Sequence, residues 1–258
     1  MGQLLIFGGG WLALWLPIAF WLAHRFQCPI FAPRSQTQKL TFVLTLYACV
    51  PVAAYLFTEP ESWQSIGESL LAGSFVRQLL LGSLFAISGI LIVYALQAAL
   101  GFGQWQKENL SSAASLALPV GAIALLISAI EETLFRGWLV LQLQPLGSGG
   151  FAFAISAFIF AGLHLLWERT ETVPQIPGLW LLGFILSLAY DWIGPGLAWG
   201  LHAGWIWGLT LLGDSNLFEL STTSPGWLVG WRQLPLTGLL GWGLLLSTGL
   251  SIGLYHSL

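Results

Sequence analysis

Five ionisable side chains, Glu131, Glu132, Arg136, His164 and His202, interrupt long apolar runs in a chain of 258 residues of which 7% are charged. An ionisable group at membrane depth costs at least about 2.5–3.5 kcal/mol, so such groups usually face one another or a cavity. A carboxylate kept from water beside imidazoles suits proton transfer. One group takes a proton from a nucleophile, and another donates to the negative charge that develops. One glutamate and two histidines also suit zinc with an open position, but HExxH is absent and the spacings form no local chelate. The reading is therefore no metal and no cofactor, with zinc as the lesser alternative.

Spacing separates the five. In the run Glu131-Glu132-Thr133-Leu134-Phe135-Arg136, an α-helix puts Glu132 and Arg136 at i and i+4, on one face and able to pair. Glu131 is turned about 100° away and lacks that partner. Glu131 is thus the candidate base and Glu132–Arg136 the candidate structural pair. Taken alone, the trio also fits an ion-pair staple between spans. Phe160 and His164 share a face in Phe160-Ala161-Gly162-Leu163-His164, and His202 opens His202-Ala203-Gly204-Trp205. A lone membrane histidine is more often a packing or hydrogen-bonding residue. Here the other histidines, His24 and His256, lie near the ends of apolar runs, and the remaining two fall inside separate apolar runs, with the carboxylates on a third.

The elements that must position these residues are membrane helices. The chain is 56% hydrophobic, with 15 Trp and 16 Phe, where a soluble domain carries roughly 25% charged residues. Runs of about 20 apolar residues recur along its length, and the alternation of a membrane β-barrel is absent. The fold class is all-α, a polytopic transmembrane helical bundle of about eight spans: 4–23, 41–57, 77–100, 116–143, 151–167, 177–192, 195–212 and 235–255. The fourth opens near Pro119. The sixth and seventh meet at Ile193-Gly194-Pro195-Gly196 as one broken element with a tight turn. Segment 58–75 reads as an acidic loop, with an amphipathic surface helix as the alternative. The long connection 214–232 has room for an interfacial piece. Trp63, Trp105, Trp167, Trp192 and Trp227 lie near predicted ends and suit the headgroup region. Arg25, Arg34 and Lys39 crowd the first connection, which places it in the cytoplasm and the N-terminus outside. The whole of 1–258 reads as a single membrane domain. Cys28 and Cys49 carry no pairing pattern, and a bridge between them is the lesser reading.

The motifs on these spans resemble those of a known family. EETLFRG fits the EExxxR signature of the CAAX protease and bacteriocin-processing (CPBP) intramembrane proteases. FAGLH fits its FxxxH motif, and the stretch from Tyr190 to His202 is similar to its third segment. The resemblance covers about 116–210, a CPBP-like catalytic core. It implies a glutamate-dependent endopeptidase in which Glu131 with His164 activates water and His202 aids the oxyanion. Glu132, Arg136 and Phe160 would stand behind them. One position departs: the family usually has Asn or Asp four residues after the last histidine, and here Ile206 stands there.

The net charge of −3 and the lack of a basic stripe exclude nucleic acid as a partner. The expected partners are the lipid bilayer and a membrane-associated peptide or protein substrate, in the plasma membrane of a bacterium. A CPBP-like fold that binds a peptide without cutting it, as an immunity protein would, is the second reading and is favoured by Ile206. A transporter is third, since paired broken helices in an inverted repeat are not visible.

Overall fold

The computed structural model describes residues 2–166 and 169–258 and is an almost wholly helical bundle. Its long helices are α1 (Gly2–Phe26), α2 (Gln36–Phe57), α4 (Phe75–Ala99), α5 (Leu110–Glu131), α7 (Gly149–Leu163), α8 (Arg169–Trp192), α9 (Pro195–Asp214) and α11 (Leu239–His256). Between α2 and α4 lies the short helix α3 (Glu61–Leu70). After α5 the chain continues as a π-helix, Glu132–Leu139, and closes with the single turn α6 (Val140–Leu143). A four-residue α10 (Gly226–Val229) precedes α11.

Among the described residues seven helices are long and apolar enough to cross a membrane, so the protein is a multi-pass integral membrane protein. The eighth expected span, 195–212, is the helix α9, which is not among the seven. Its 20 residues reach about 30 Å, but it carries His202 and much of its surface is buried. A helix enclosed by other helices need not be as apolar as one that faces lipid. The fourth run extends over 107–146, 40 residues, or roughly 60 Å at helical rise. That is about twice the hydrocarbon thickness, so its whole length cannot stand upright within the bilayer.

Two boundaries differ from the sequence reading because proline did not mark them. α5 starts at Leu110 with Pro119 inside it, and α8 starts at Arg169 with Pro174 and Pro177 inside it. Neighbouring helices and local adjustments re-satisfy the backbone groups that an intramembrane proline frees. The turn at 193–196 forms as expected. Gly194 takes φ +141°, a value costly for a residue with a Cβ, and Pro195 opens α9 with no amide lost to the helix. Gln78 Nε2 donates to the Ile193 carbonyl at 2.9 Å and holds the turn against α4.

Segment 58–75 holds the helix α3 over Glu61–Leu70, the alternative reading, in place of an acidic loop. On α3 the carboxylates face outward while Ile66 is buried against Gly137, and Trp63 stacks on Trp138 with centroids 5.9 Å apart. The apolar residues at i and i+3 give this helix a face to bury. The connection 214–232 holds a second departure: β2 (Phe218–Leu220) pairs antiparallel with β1 (Gly103–Trp105). Three-residue strands are too short for alternation to reveal. Trp105 and Trp63 contribute to these contacts, Trp192 stacks on His256, Trp227 is exposed, and Trp167 lies outside the described residues.

Packing against α4 fixes α9. Gly196, Gly200, Gly204 and Gly208 recur every fourth residue on one face, and a Cβ at Gly200 would overlap the Leu79 carbonyl. Gly82 on α4 meets the Leu197 carbonyl in the same way. Small residues at this spacing let two membrane helices approach backbone to backbone. The main core gathers residues from α3 to α11, with Phe7, Val50 and Ala53 reaching it from α1 and α2. The other end of the α1–α2 hairpin keeps a core of its own around Trp15, Leu22, Phe42 and Leu46. Cys28 and Cys49 lie there, buried and free.

Candidate active site

α5 and α9 run antiparallel across the centre. The indole of Trp207 donates to the Ala117 carbonyl at 2.7 Å, while His202, earlier on α9, meets Glu131 and Glu132 at the far end of α5. The carboxylates occupy the point where α5 passes into the π-helix. A π-helical turn holds more residues than an α-helical one, and such insertions recur at functional sites. The expected Glu132–Arg136 pair nevertheless forms inside it, with Nη1 to Oε1 at 2.8 Å and both side chains fully enclosed.

Glu132 Oε1 accepts a second contact, His202 Nδ1 at 2.7 Å. Arg136 Nη2 reaches across to the Gly183 carbonyl on α8 at 3.3 Å, and a Cβ at Gly183 would crowd that nitrogen. The guanidinium also lies 4.4 Å from the centroid of Phe160, a cation over the negative face of a ring. The Glu132 charge is therefore answered by an arginine and a histidine that are themselves held. Leaving one member of such a buried set without its partner is strongly destabilising.

Glu131 has different company. Its Oε2 faces His202 Nε2 at 3.6 Å, too far for a hydrogen bond, and its Oε1 accepts from the hydroxyl of Tyr47 on α2. Its exposure is 5%. His202 thus stands between the two carboxylates, one ring nitrogen towards each. An ionised carboxylate only accepts, so Nδ1 donates to Glu132 and the Nε2 edge is turned to Glu131.

His164 is half-buried at the end of α7, where the helix tightens into a final turn. Its Nδ1 lies 2.9 Å from the Phe160 carbonyl, which can only accept, so Nδ1 carries the proton and a neutral ring leaves Nε2 as an acceptor. Thr172 Oγ1 caps the His164 carbonyl at 3.1 Å. Among the described residues no hydrogen bond or ion pair joins His164 to Glu131. What links His164 to the cluster is Phe160: its ring centroid is 4.7 Å from that of His164 and 5.8 Å from that of His202. Phe160 is 1% exposed.

The place left by Ile206 is equally specific. Trp207 spends its N–H on Ala117, whereas Trp205 Nε1, on the turn after His202, is buried and without a hydrogen-bond partner. Residues at i and i+3 are helix-surface neighbours. A buried donor left unpaired costs roughly 1–3 kcal/mol. No group of three or more His, Cys, Asp or Glu among the described residues is arranged to hold a metal ion.

Sequence reasoning missed Tyr47 and the π-helix. Tyr47 was visible as a hydroxyl inside the apolar run 41–57, the same signal that marked the five ionisable residues, but weaker because tyrosine is tolerated there. No proline announces the π-helix, and its one glycine, Gly137, is one of many in the apolar runs.

A helical membrane bundle with a buried carboxylate–histidine cluster at a helix irregularity is the class that fold and site define. Residues 113–208 match the family model described as Type II CAAX prenyl endopeptidase Rce1-like. That stretch contains Glu131, Glu132, Arg136, Phe160, His164 and His202, while Tyr47 lies outside it. No curated protein and no solved structure matches the chain.

Proposed function

We propose that this protein is an intramembrane endopeptidase that hydrolyses a peptide bond of a membrane-associated protein or peptide, in the plasma membrane of a bacterial cell. The observation that carries the reading is Glu131. It is a buried carboxylate that Arg136 does not pair with, facing a histidine whose other nitrogen is fixed by Glu132.

In this reading Glu131 takes a proton from water, and the acceptor nitrogen of His164 shares in orienting that water. The hydroxide adds to the scissile carbonyl. His202, held at Nδ1 by Glu132, donates from Nε2 to the oxyanion when its ring carries both protons, and the tetrahedral species collapses as the amine leaves with the proton that Glu131 took. Such acid–base work contributes about 10²–10⁴-fold. Trp205 Nε1 is the donor that stands in for the asparagine or aspartate replaced by Ile206. Losing one oxyanion donor costs about 10²–10³-fold.

The type II CAAX prenyl endopeptidase match supports a peptide at the bilayer surface as substrate, with or without a prenyl group. Two probes in proteoliposomes test this: a fluorogenic peptide ending in a prenylated CAAX motif and a non-prenylated membrane-anchored peptide. Glu131→Gln and His164→Ala are expected to lower cleavage by about 10²–10⁴-fold with expression intact, and chelators to leave it unchanged. Full activity in Glu131→Gln overturns the mechanism.

Ile206 favours a second reading, a CPBP-like protein that holds a peptide without cutting it. A host phenotype that survives Glu131→Gln and is lost when the spans are disturbed supports it.

A further inference from the structure

We infer that Tyr47 is a positioning residue for Glu131, so that the α1–α2 hairpin, outside the Rce1-like stretch, completes the site. The inference rests on Glu131 acting as the base. A carboxylate that must take a proton from a water near His164 has to present one oxygen in a fixed direction. In this structure the Tyr47 hydroxyl donates to Oε1, and Oε2 is the oxygen turned towards His202.

Three features argue that the phenol is placed there and not merely tolerated. First, α2 is itself braced beside it. The indole of Trp11 on α1 donates to the Leu46 carbonyl at 2.8 Å, and that of Trp15 to Thr45 Oγ1 at 3.3 Å. Two indoles of one helix therefore hold the two residues immediately before Tyr47, one by its carbonyl and the other by its hydroxyl, the support a functional group needs from the residues behind it. Second, packing alone asks for no hydroxyl. Phe42 and Leu46 fill the neighbouring positions of the hairpin core as apolar side chains, and a phenylalanine at 47 would serve equally. Third, the partner is a carboxylate already shielded from solvent, where a hydrogen bond to charge is worth more than one between neutral groups.

The groups that meet Glu131 come from two other elements, Tyr47 from α2 and His202 from α9, while Glu132 and Arg136 of its own helical run pair with each other. Among the described residues Tyr47 makes no other hydrogen bond within this cluster, so its loss should free the Glu131 carboxylate to rotate and leave the Glu132 network in place.

The test uses Tyr47→Phe in the full-length protein. With either peptide probe, kcat is expected to fall about 10-fold or more, the equivalent of one hydrogen bond to a charged group, while KM stays within about twofold. Independently of turnover, infrared difference spectra that isolate the Glu131 carboxylate by comparison with Glu131→Gln are expected to show its stretch displaced in Tyr47→Phe. An unmoved carboxylate band overturns the inference, as does an unchanged kcat where Glu131→Gln is inactive. A Glu131→Gln protein that still cleaves overturns the base itself, and the role of Tyr47 with it.

Discussion

Glu131 and Glu132 are adjacent in the chain and live in different surroundings. Glu132 is completely enclosed, and a single one of its oxygens receives both Arg136 and His202. Glu131 meets a phenol on one oxygen and an imidazole beyond hydrogen-bond range on the other. One carboxylate is committed to an arginine and a histidine that join helices, and the other is the one to which the proposed function gives the proton. The difference teaches that a carboxylate's role here depends on whether arginine reaches it, which one residue of helical offset decides.

The sharpest way to break the comparison is to exchange the consequences of mutation. Glu131→Gln should lose about 10²–10⁴-fold in cleavage rate while its unfolding in detergent, followed by denaturant titration, matches the parent. Arg136→Met should do the reverse in kind, leaving Glu132 with only His202 and lowering stability by about 3–5 kcal/mol in the same titration. If both variants lose stability equally, the two carboxylates form one structural unit.

Two smaller effects sharpen the boundary between the halves. Trp205→Phe is expected to lower kcat by about 10²-fold with KM little changed, and adding Ile206→Asn should restore part of it. Steady-state kinetics in which Trp205→Phe is fully active would assign that indole to packing. Phe160→Leu removes the ring under Arg136 and between the two histidines. A loss of about 0.5–2 kcal/mol is expected from the cation–ring contact alone, measurable by thermal unfolding in micelles.

The sequence reading was strongest where cost is highest. An ionisable side chain in an apolar run is expensive enough to show without coordinates, and Glu131, Glu132, Arg136 and His202 do gather at one point. His164 joins them through the Phe160 ring and not through Glu131. The helices were legible from apolar length alone, apart from ends where prolines lie inside membrane helices. Tyr47 was missed because its contact spans 84 residues of sequence, and no local pattern encodes a partner on another helix. The α3 helix was missed because its burial depends on Trp138 and Gly137, residues supplied by the π-helical run.

The glycine face of α9 has a mechanical consequence. With backbone resting on backbone at Gly200, and only the Ala86 methyl and the Ser83 carbonyl against Gly204, little side chain is there to yield between α4 and α9, so the two helices behave as a single stiff stave. His202 rides on that stave, and whatever displaces α4 in the bilayer displaces the imidazole with it. Spin-label distances between α4 and α9 should stay constant across lipids of different thickness, while those from α9 to α2 are free to change.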